Sequence, residues 1–201
     1  MDYKEIHSDF YDTYSREFDN RTWRDADRLN HYVSDFLSNV ERGFRVLDLG
    51  SGPGKCSEVM RKRGYRVVSL DLSRNMLRIC RERNPVVVQA DLEELPFPYH
   101  AFHGIFASTS LIHMPKSNLP KVLENIRDSL STLGLFYPIV KEGKGEGWVE
   151  SDKYPGKKRY FAHYQKDEFE EYLTNAGFYD IWDSWIDTVG NATFLGWKCR
   201  T

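Results

Sequence analysis

The sequence has few of the features that mark secreted, membrane-spanning or zinc-binding proteins. Its three cysteines, Cys56, Cys80 and Cys199, are far apart, and no two of them form a CxxC pair. An odd number of cysteines without such spacing disfavours a disulfide framework or a zinc site and indicates a reducing compartment. No apolar run approaches the roughly 18–20 residues of a membrane-spanning helix, and the polar N-terminus differs from a secretory leader. We therefore expect a cytoplasmic protein with no metal and no membrane partner.

An excess of charge of either sign is also missing. The 201 residues include 28 basic and 30 acidic side chains, for a formal net charge of -2. This balance gives no electrostatic footprint for nonspecific nucleic-acid binding, so a nucleic-acid partner is disfavoured but stays open. The sequence contains no internal repeat, linker or low-complexity tract, and its length suits one globular domain. Nothing in the pattern indicates an oligomeric state.

The order of apolar segments predicts the secondary structure. Helical spacing covers residues 3–18 and 24–40, with a break near Asp19–Thr22. Short apolar runs, typical of strands buried on both faces, then alternate with helical segments. The predicted strands are, in chain order, "FRVLDLG", "YRVVSLD", "VVVQAD", "HGIFASTS" and "LGLFYPIV", and a last pair, "FYDIWDSWID" and "NATFLGWKCR", is separated only by Thr188–Gly190. A connection this short permits an antiparallel hairpin and excludes a helical crossover.

This alternation predicts an α/β fold with a doubly wound, Rossmann-like and mostly parallel sheet that has helices on both faces. The terminal hairpin adds antiparallel pairing, and we expect a sheet of seven strands. Pro138 is the exception to the pattern, because a proline inside an interior strand removes a hydrogen bond of the ladder. We expect it to mark a bulge or an early end of the strand.

The stretch "VLDLGSGPGKCSEVM", residues 46–60, places a glycine-rich loop between a predicted strand and a predicted helix. A phosphate loop, G-x4-G-K-[ST], would need glycine in place of Leu49 and a hydroxyl in place of Cys56, so it fails twice. A dinucleotide fingerprint, G-x-G-x-x-G, would need glycine or alanine at Lys55 or Ser57. A nicotinamide or flavin enzyme is therefore disfavoured but stays open.

The loop does satisfy the pattern [DE]-x-G-x-G-x-G, through Asp48, Gly50, Gly52 and Gly54, with Ser51 inside it. This pattern resembles motif I of the class I S-adenosylmethionine-dependent methyltransferases. Glycines at a strand end let the backbone pass close to a bound adenosine and methionine without a side-chain clash. The resemblance implies that these five residues contact S-adenosylmethionine.

Later segments resemble the same family in the same order. "SLDLSRNML" ends the second strand with Asp71, 19 residues after Gly52, where a carboxylate can accept hydrogen bonds from both ribose hydroxyls. The resemblance places Leu72 and Met76 against the adenine, although Met76 also suits the core. The resemblance therefore implies that the second strand supplies three more cofactor contacts.

The third and fourth strands extend the resemblance. In "VVVQADLEELPFP", Asp91 would accept from the exocyclic amine of adenine, and the backbone of Leu92 would donate to the ring. "FHGIFASTSLIHMP" resembles the fourth-strand motif, and this brings Ser108 to the cofactor site. "DSLSTLGLFYPIV" resembles the segment before the fifth strand. The chain departs from the family at His103, where aspartate is common, and near Gly134, where "TLG" replaces a Pro-Gly-Gly turn.

The resemblance implies an activity and a division of the chain. The activity would be methyl transfer from S-adenosylmethionine, by in-line displacement, to an N, O or C nucleophile of an unidentified, small-molecule acceptor. Residues 1–201 would form a single methyltransferase domain. Its parts would be a helical cap over residues 1–40, a cofactor-binding core over 44–140, a substrate-side insertion over 141–165, and a C-terminal helix and hairpin over 166–201.

Two residues are candidates for a direct role near the transferred methyl group. His113 follows the fourth strand on the cofactor side, and imidazole is a suitable base near neutral pH. A structural histidine before Pro115 explains it equally well. "FYDTYSREFDN" resembles the "YDxxAxxYD" opening of small-molecule members, in which an aromatic residue such as Tyr11 closes over the cofactor. A packing stripe of Tyr11, Tyr14 and Phe18 is the alternative.

The segment "KEGKGEGW…KKRYFAHY" provides candidates on the substrate side. It resembles the "VKEGxGE" segment of some small bacterial and archaeal members. Glu142 and Glu146 could receive a cationic amine, Arg159 could receive a carboxylate, and His163 is a second histidine candidate. A solvated hairpin with its turn at Asp152–Gly156 is the alternative.

Other functional classes stay open from sequence. One is a methyltransferase that acts on RNA, protein or peptide, and another is an NAD(P)-binding oxidoreductase. A third is a noncatalytic cofactor-binding subunit that supports a partner. Whether the reaction uses a general base is also open, because methyl transfer depends mainly on positioning.

Overall fold

The structure is a computed structural model that describes residues 2–22, 26–151 and 153–201. Two helices open the chain, α1 (Tyr3–Thr22) and α2 (Ala26–Leu37). The predicted break at Asp19–Thr22 is wrong, because α1 continues to Thr22 and leaves helical geometry only at Tyr14 (φ -106°, ψ 16°). The last turn is held by tertiary contacts of Asp19, which helical spacing does not reveal.

From Arg45 to Lys141 strands and helices alternate as predicted, and two further strands follow before the last helix. The strands are β1 (Arg45–Leu49), β2 (Arg66–Asp71), β3 (Val87–Gln89), β4 (Phe102–Ser108), β5 (Leu130–Lys141), β6 (Glu146–Ser151), β7 (Tyr154–Ala162), β8 (Tyr179–Val189) and β9 (Ala192–Arg200). The helices between them are α3 (Lys55–Lys62), α4 (Arg74–Arg83), α5 (Leu119–Ser129) and α6 (Lys166–Asn175). Ser73 caps α4, its side chain accepting from the backbone of Met76.

Seven strands form the main sheet in the order β3-β2-β1-β4-β5-β9-β8. Strands β1 to β5 pair in parallel, and β9 is antiparallel to both β5 and β8. The predicted α/β fold with a C-terminal hairpin is therefore confirmed. The strand order reverses between β1 and β4, and open α/β sheets bind their ligands at the carboxyl ends of the strands at such a point.

Pro138 causes neither a bulge nor an early strand end, so both expectations for it are wrong. It lies inside β5, beside Ala107 of β4, and β5 continues to Lys141. Pairing between β5 and β9 lapses around Pro138 but resumes in the same register, since Phe136 faces Cys199 and Ile139 faces Gly196. The sheet therefore accommodates the missing N–H of Pro138 by a local loss of pairing, and the register of β5 against β9 is unchanged.

A different position in β5 is irregular. Strand β5 starts at Leu130, directly after α5 and earlier than predicted, and its register against β4 shifts between the partners of Phe102 and Gly104. Leu133 lies in this irregular stretch with a positive φ of 61° and is 57% exposed. The shift absorbs the extra residues and lets the rest of β5 pair regularly with β4.

Two apolar clusters cover the two faces of the sheet. Val46 of β1 belongs to one cluster, with residues of α2 and α3, and its neighbour Leu47 belongs to the other, with residues of α5 and α6. Because successive strand residues point to opposite faces, a strand covered on both sides is apolar at most of its positions and not only at alternate ones. Among the described helices, none is both long and apolar enough to cross a bilayer.

Strands β6 and β7 form a separate antiparallel hairpin. The predicted turn at Asp152–Gly156 is longer than the connection observed, because β7 already begins at Tyr154; Asp152 lies outside the described residues. Helix α1 contacts both α4 and β7. The N-terminal helix and the hairpin therefore meet over the carboxyl ends of the parallel strands.

Candidate functional site

A cavity of about 230 Å³ lies at the carboxyl ends of β1, β2 and β4, under α1. This volume accommodates a ligand of many atoms rather than one ion or a few waters. Eleven of the twelve predicted cofactor residues line it: Tyr11, Asp48, Gly50, Ser51, Gly52, Asp71, Leu72, Met76, Asp91, Leu92 and Ser108. His113 lines it too, whereas Gly54 does not.

The glycine loop turns sharply between β1 and α3. Gly50, Gly52 and Gly54 all have positive φ angles, of 74°, 52° and 81°. The backbone amides of Gly50 and Ser51 donate to the carbonyl of Leu70 at 2.8 Å, and this ties the loop to β2. These two hydrogen bonds hold the loop against the end of β2, where it forms part of the cavity wall.

Gly54 has a packing role instead of a place in the cavity wall. A Cβ atom there would lie 2.4 Å from Sγ of Cys80 in α4. Glycine is needed here so that the start of α3 can approach α4. The glycine motif therefore meets two different requirements. Gly50 and Gly52 present bare backbone to the cavity, and Gly54 lets α3 pack closely on α4.

Asp71 is held in place by backbone amides at the end of β2. Its Oδ2 accepts from the amide of Gly52 at 2.8 Å, and its Oδ1 accepts from the amide of Ser73 at 2.9 Å. Burial raises the pKa of Asp71 above the usual range for a carboxyl. Each carboxylate oxygen has a second lone pair, so the fixed side chain can still accept from a ligand hydroxyl.

Asp48 is almost fully buried beneath the loop. The hydroxyl of Ser57 donates to its Oδ2 at 2.5 Å, and the same hydroxyl lies 2.6 Å from that of Ser69. Burial, opposed by the hydrogen bond from Ser57, raises the pKa of Asp48 to about 6. Because the carboxyl is enclosed by these hydroxyls, its main visible role is to join β1, β2 and α3.

Helix α1 is attached to the loops after β2 and β3. Oδ1 of Asp12 accepts from the hydroxyl of Ser73 at 2.5 Å and from the amide of Asn75 at 2.8 Å. Nζ of Lys4 lies 2.6 Å from Oδ2 of Asp91. The carboxylate predicted to take the adenine amine is therefore already paired with the N-terminal helix.

A third attachment joins α1 to the glycine loop. Oδ1 of Asp19 lies 3.4 Å from Nζ of Lys55, and Oδ2 lies 3.0 Å from Arg83 of α4. Sequence reasoning used Lys55 only to argue against a dinucleotide motif and did not assign roles to Lys4, Asp12 or Asp19. The one signal available was that Asp12 and Asp19, seven residues apart, share a face of a helix.

Two histidines meet at the wall of the cavity. The rings of His7 and His113 have centroids 4.8 Å apart, and both residues line the cavity. Tyr160 of β7 binds both: its amide donates to Nε2 of His7 at 3.1 Å, and its carbonyl lies 3.2 Å from Nδ1 of His113. Since a carbonyl only accepts, His113 carries its proton on Nδ1. Sequence reasoning missed His7, because the contact crosses 153 residues.

The free nitrogen of His113 receives a hydrogen bond from Tyr11. Nε2 of His113 lies 2.9 Å from the hydroxyl of Tyr11, which donates because Nδ1 holds the ring proton. Nη1 of Arg159 donates to the same hydroxyl at 3.1 Å. Burial, with smaller contributions from His7 and Arg159, lowers the pKa of His113 well below its usual value. The imidazole is therefore neutral at physiological pH.

The four substrate-side candidates lie outside the cavity wall. Arg159 is next to it through Tyr11. Glu146 accepts from the backbone of Lys116 at 2.6 Å, and Glu142 lies where the end of β5 bridges to the hairpin. His163 follows β7, and burial lowers the pKa of its ring. The structure thus brings Arg159 to Tyr11 and His113 and leaves the other three further out.

The strand order, the glycine loop at the switch point and the acidic strand ends define an α/β protein with a cofactor site of the nucleotide-binding type. Residues 46–134 match the family model described as "Methyltransferase domain". These residues are fewer than half of the chain, and the match, together with the fold, supports a class I S-adenosylmethionine-dependent methyltransferase.

Curated relatives are similar over part of their length. The ubiquinone/menaquinone biosynthesis C-methyltransferase of Photorhabdus laumondii is 38% identical over 128 residues, which are 58% of this chain and 46% of that protein. The biotin biosynthesis bifunctional protein of Cellvibrio japonicus is 28% identical over 152 residues, 71% of this chain and 29% of that protein. The chain therefore spans less than half the length of these relatives.

A solved structure shares nearly the whole fold. It is the 1,6-didemethyltoxoflavin-N1-methyltransferase of Burkholderia thailandensis, with bound 1,6-didemethyltoxoflavin and S-adenosylhomocysteine. Its TM-score is 0.80 at 20% identity, over 98% of this chain and 88% of that chain. At this level of identity, the likeness concerns the fold alone.

Proposed function

We propose that residues 1–201 form a single methyltransferase domain that transfers a methyl group from S-adenosylmethionine to an N, O or C nucleophile of a small molecule. The observation that carries this proposal is the convergence of the glycine loop, Asp71 and Asp91 on one cavity at the switch point of the sheet. S-adenosylmethionine, when bound, supplies an electrophilic methyl group on sulfur. The protein aligns the nucleophile with that methyl group and excludes water.

The cavity residues suit the parts of this cofactor. Asp71, fixed by two backbone amides, is the acceptor for the ribose hydroxyls. Gly50 and Gly52 let the backbone approach the adenosine and methionine without side chains. Leu72 and Met76 pack on the adenine, and the lone pairs of Asp91 that Lys4 leaves available accept from its exocyclic amine. Ser51 and Ser108 contribute polar contacts from the same wall.

His113 and Tyr11 form another part of the cavity wall. Tyr11 is positioned by two hydrogen bonds, one from Arg159 and one to His113, and it closes the cavity under α1. Nε2 of His113 is a basic atom that can take a proton from a nucleophile through Tyr11. Its lowered pKa makes it a weak base, which suits an acceptor that arrives already deprotonated.

The relatives support a small-molecule acceptor, and the cysteines are the observation that supports a place in the cytoplasm. They include biosynthetic methyltransferases of ubiquinone or menaquinone and a malonyl-[acyl-carrier protein] O-methyltransferase of Serratia marcescens. The three cysteines are free and buried in the fold, which is compatible with a reducing compartment. Acceptors of RNA, protein or peptide are the alternative, and a screen with small acids, amines, phenols, peptides and tRNA distinguishes them.

Ligand binding tests the cofactor assignment. Calorimetry and thermal shift with S-adenosylmethionine, S-adenosylhomocysteine, NAD(P) and ATP should give binding and stabilisation by the two adenosyl ligands only. Asp71→Ala should weaken S-adenosylhomocysteine binding by about ten-fold or more, because a charged hydrogen-bond acceptor is lost. Glu82→Ala, on the exposed surface of α4, is the matched control and should bind normally. Stabilisation by NAD(P) alone would overturn the assignment.

A further inference from the structure

Two chemically different groups of residues line the cavity. Asp48, Asp71 and Asp91 lie at the strand ends, where the proposal places the cofactor. The second group is the histidine pair His7 and His113, and Arg159 contacts the neighbouring Tyr11 from outside the wall. Acidic groups complement the positive sulfonium and amine of the cofactor, whereas the second group offers hydrogen-bond donors and has a positive charge beside it.

His7 presents a donor that the protein does not use. Its Nε2 accepts from the amide of Tyr160, so in the neutral ring the proton is on Nδ1. Burial lowers the pKa of His7 to about 4, and the ring is therefore neutral at physiological pH. The side chain is 5% exposed, and Nδ1 is buried with no hydrogen-bond partner among the described residues. A buried N–H without an acceptor costs about 1–3 kcal/mol, which a ligand acceptor recovers.

Arg159 presents a positive charge that no described carboxylate balances. Its guanidinium packs on the rings of Phe10 and Phe161, with its carbon 4.7 and 4.9 Å from their centroids. Nη1 donates to Tyr11, whereas Nε is buried without a partner in the described part of the chain. Aromatic faces stabilise a cation without neutralising it. An anion nearby would therefore gain from a charge that is already in place.

Two lysines at the same cavity show the contrast. Lys4 is paired with Asp91 and Glu93, and Lys55 is paired with Asp19. Their charges are therefore balanced within the protein. Among the described side chains, no carboxylate lies within ion-pair distance of Arg159. The unmatched cation therefore lies beside Tyr11 and not beside the carboxylates of the cavity.

We infer that the methyl acceptor binds as an anion, such as a carboxylate or phenolate, in the part of the cavity lined by His7 and Tyr11, next to Arg159. This inference rests on the proposed methyltransferase function. His7 donates a hydrogen bond from Nδ1 to the anion, and Arg159 supplies the opposite charge beside Tyr11. Such an acceptor needs no proton removed before attack, in agreement with the weak basicity of His113.

The reaction balances in atoms and charge. An electron pair of the anionic oxygen forms the new bond to the methyl carbon, while the bond from that carbon to sulfur breaks and its electrons stay on sulfur. The anion and the sulfonium give a neutral methyl ester or ether and S-adenosylhomocysteine. Because the product has lost its negative charge, it also loses its attraction to Arg159, and this favours its release.

Matched probes of one shape test the charge preference. The protein saturated with S-adenosylhomocysteine is titrated by calorimetry with benzoate, benzamide and benzamidine. We expect benzoate to bind, benzamide to bind about ten-fold more weakly, and benzamidine not to bind. Arg159→Met and His7→Phe should each weaken benzoate binding by about ten-fold. Lys157→Met, an exposed lysine of the same strand as Arg159, is the matched control and should match the wild type.

The same titrations distinguish a failure of this inference from a failure of the proposed methyltransferase function. If Arg159→Met weakens S-adenosylhomocysteine as much as benzoate, Arg159 serves the carboxylate of the cofactor and the inference is overturned. Equal binding of benzoate and benzamidine, or no binding of benzoate to the loaded wild type, overturns it as well. Failure of the wild type to bind S-adenosylhomocysteine refutes the proposed function instead. If Arg159→Met does not fold, Arg159→Lys should retain most of the benzoate affinity, and equal loss would contradict the charge argument.

Discussion

Nζ of Lys55 lies 3.4 Å from Oδ1 of Asp19, and the two largely buried side chains join the glycine loop to the last turn of α1. Lys55 occupies the position at which a dinucleotide fingerprint has its third glycine. Lys55 therefore has two effects. It breaks the dinucleotide fingerprint, and it links the glycine loop to the N-terminal helix that covers the cavity.

Removing Asp19 should destabilise the protein more than removing Lys55. Asp19→Ala takes away a partner of both Lys55 and Arg83, and we expect a loss of about 3–5 kcal/mol in the free energy of unfolding. Lys55→Met leaves Asp19 paired with Arg83, and we expect about 1–2 kcal/mol. Urea denaturation of both variants measures the difference, and equal losses would mean that the two cations do not share Asp19 in solution.

Two glycines of the loop should respond differently to alanine. At Gly50, φ is 74° and a Cβ would lie 2.3 Å from Cβ of Ser110, so Gly50→Ala should cost about 2–5 kcal/mol through backbone strain and overpacking. At Gly52, φ is 52° and a Cβ would meet nothing within 4 Å. Gly52→Ala should therefore cost only about 1–2 kcal/mol.

Gly52→Ala should affect folding stability less than it affects cofactor binding. The Cβ of Gly52→Ala would occupy open space at the cavity wall, so this variant should bind S-adenosylhomocysteine about ten-fold or more weakly than the wild type. Denaturation without ligand measures the first effect and calorimetry the second. A stable Gly50→Ala protein, or a Gly52→Ala protein with unchanged affinity, would show that the loop differs from this description.

Asp48 should make stability depend on pH. Its pKa is raised to about 6 by burial, above the value of an unfolded aspartate, so the folded state binds the proton more tightly. Its contribution is therefore fully present below the unfolded pKa and is lost as the pH rises through 6. Asp48→Asn should raise the stability relative to wild type at pH 8, by on the order of 3 kcal/mol at most, and should have little effect below pH 4. A difference that does not change with pH would contradict the raised pKa.

His7 should have the opposite pH signature. Burial, aided by Arg159, lowers its pKa to about 4, so the unfolded chain binds the proton more tightly than the folded protein. The stability of the wild type should fall as the pH decreases from 6.5 through 4. His7→Phe removes this dependence, and its stability relative to wild type should therefore increase over the same range, by on the order of 3 kcal/mol at most. Chemical denaturation at several pH values measures it, and parallel curves would mean that His7 titrates normally.

Much of the architecture was predictable from sequence because it follows local patterns. The continuous apolar runs of β1 and β2 indicate strands covered on both faces, and the short connection at Thr188–Gly190 requires a hairpin. The order of glycine loop, Asp71 and Asp91 places three segments at the same edge of a parallel sheet. The cavity is observed there, and the roles of those residues toward the cofactor stay a prediction.

Other features were not predictable because they depend on contacts between distant parts of the chain. Pro138 looked incompatible with an interior strand, yet the ladder to β9 resumes in register past it. The extension of α1 to Thr22 depends on partners of Asp19 that lie in α3 and α4. Neither outcome has a local signature, since each is decided by the neighbours that the fold supplies.

The sequence by itself determined the parallel core, the loop at its switch point and the acidic strand ends, because strand periodicity and close backbone approach leave their mark on neighbouring residues. Only the tertiary structure decided how the two histidines, Tyr11 and Arg159 come together at the cavity. One residue, Tyr160, fixes the proton positions of His7 and His113, and Arg159 reaches Tyr11 across 148 residues. Hydrogen bonds between residues so far apart in the chain depend on tertiary packing, which local sequence patterns do not predict.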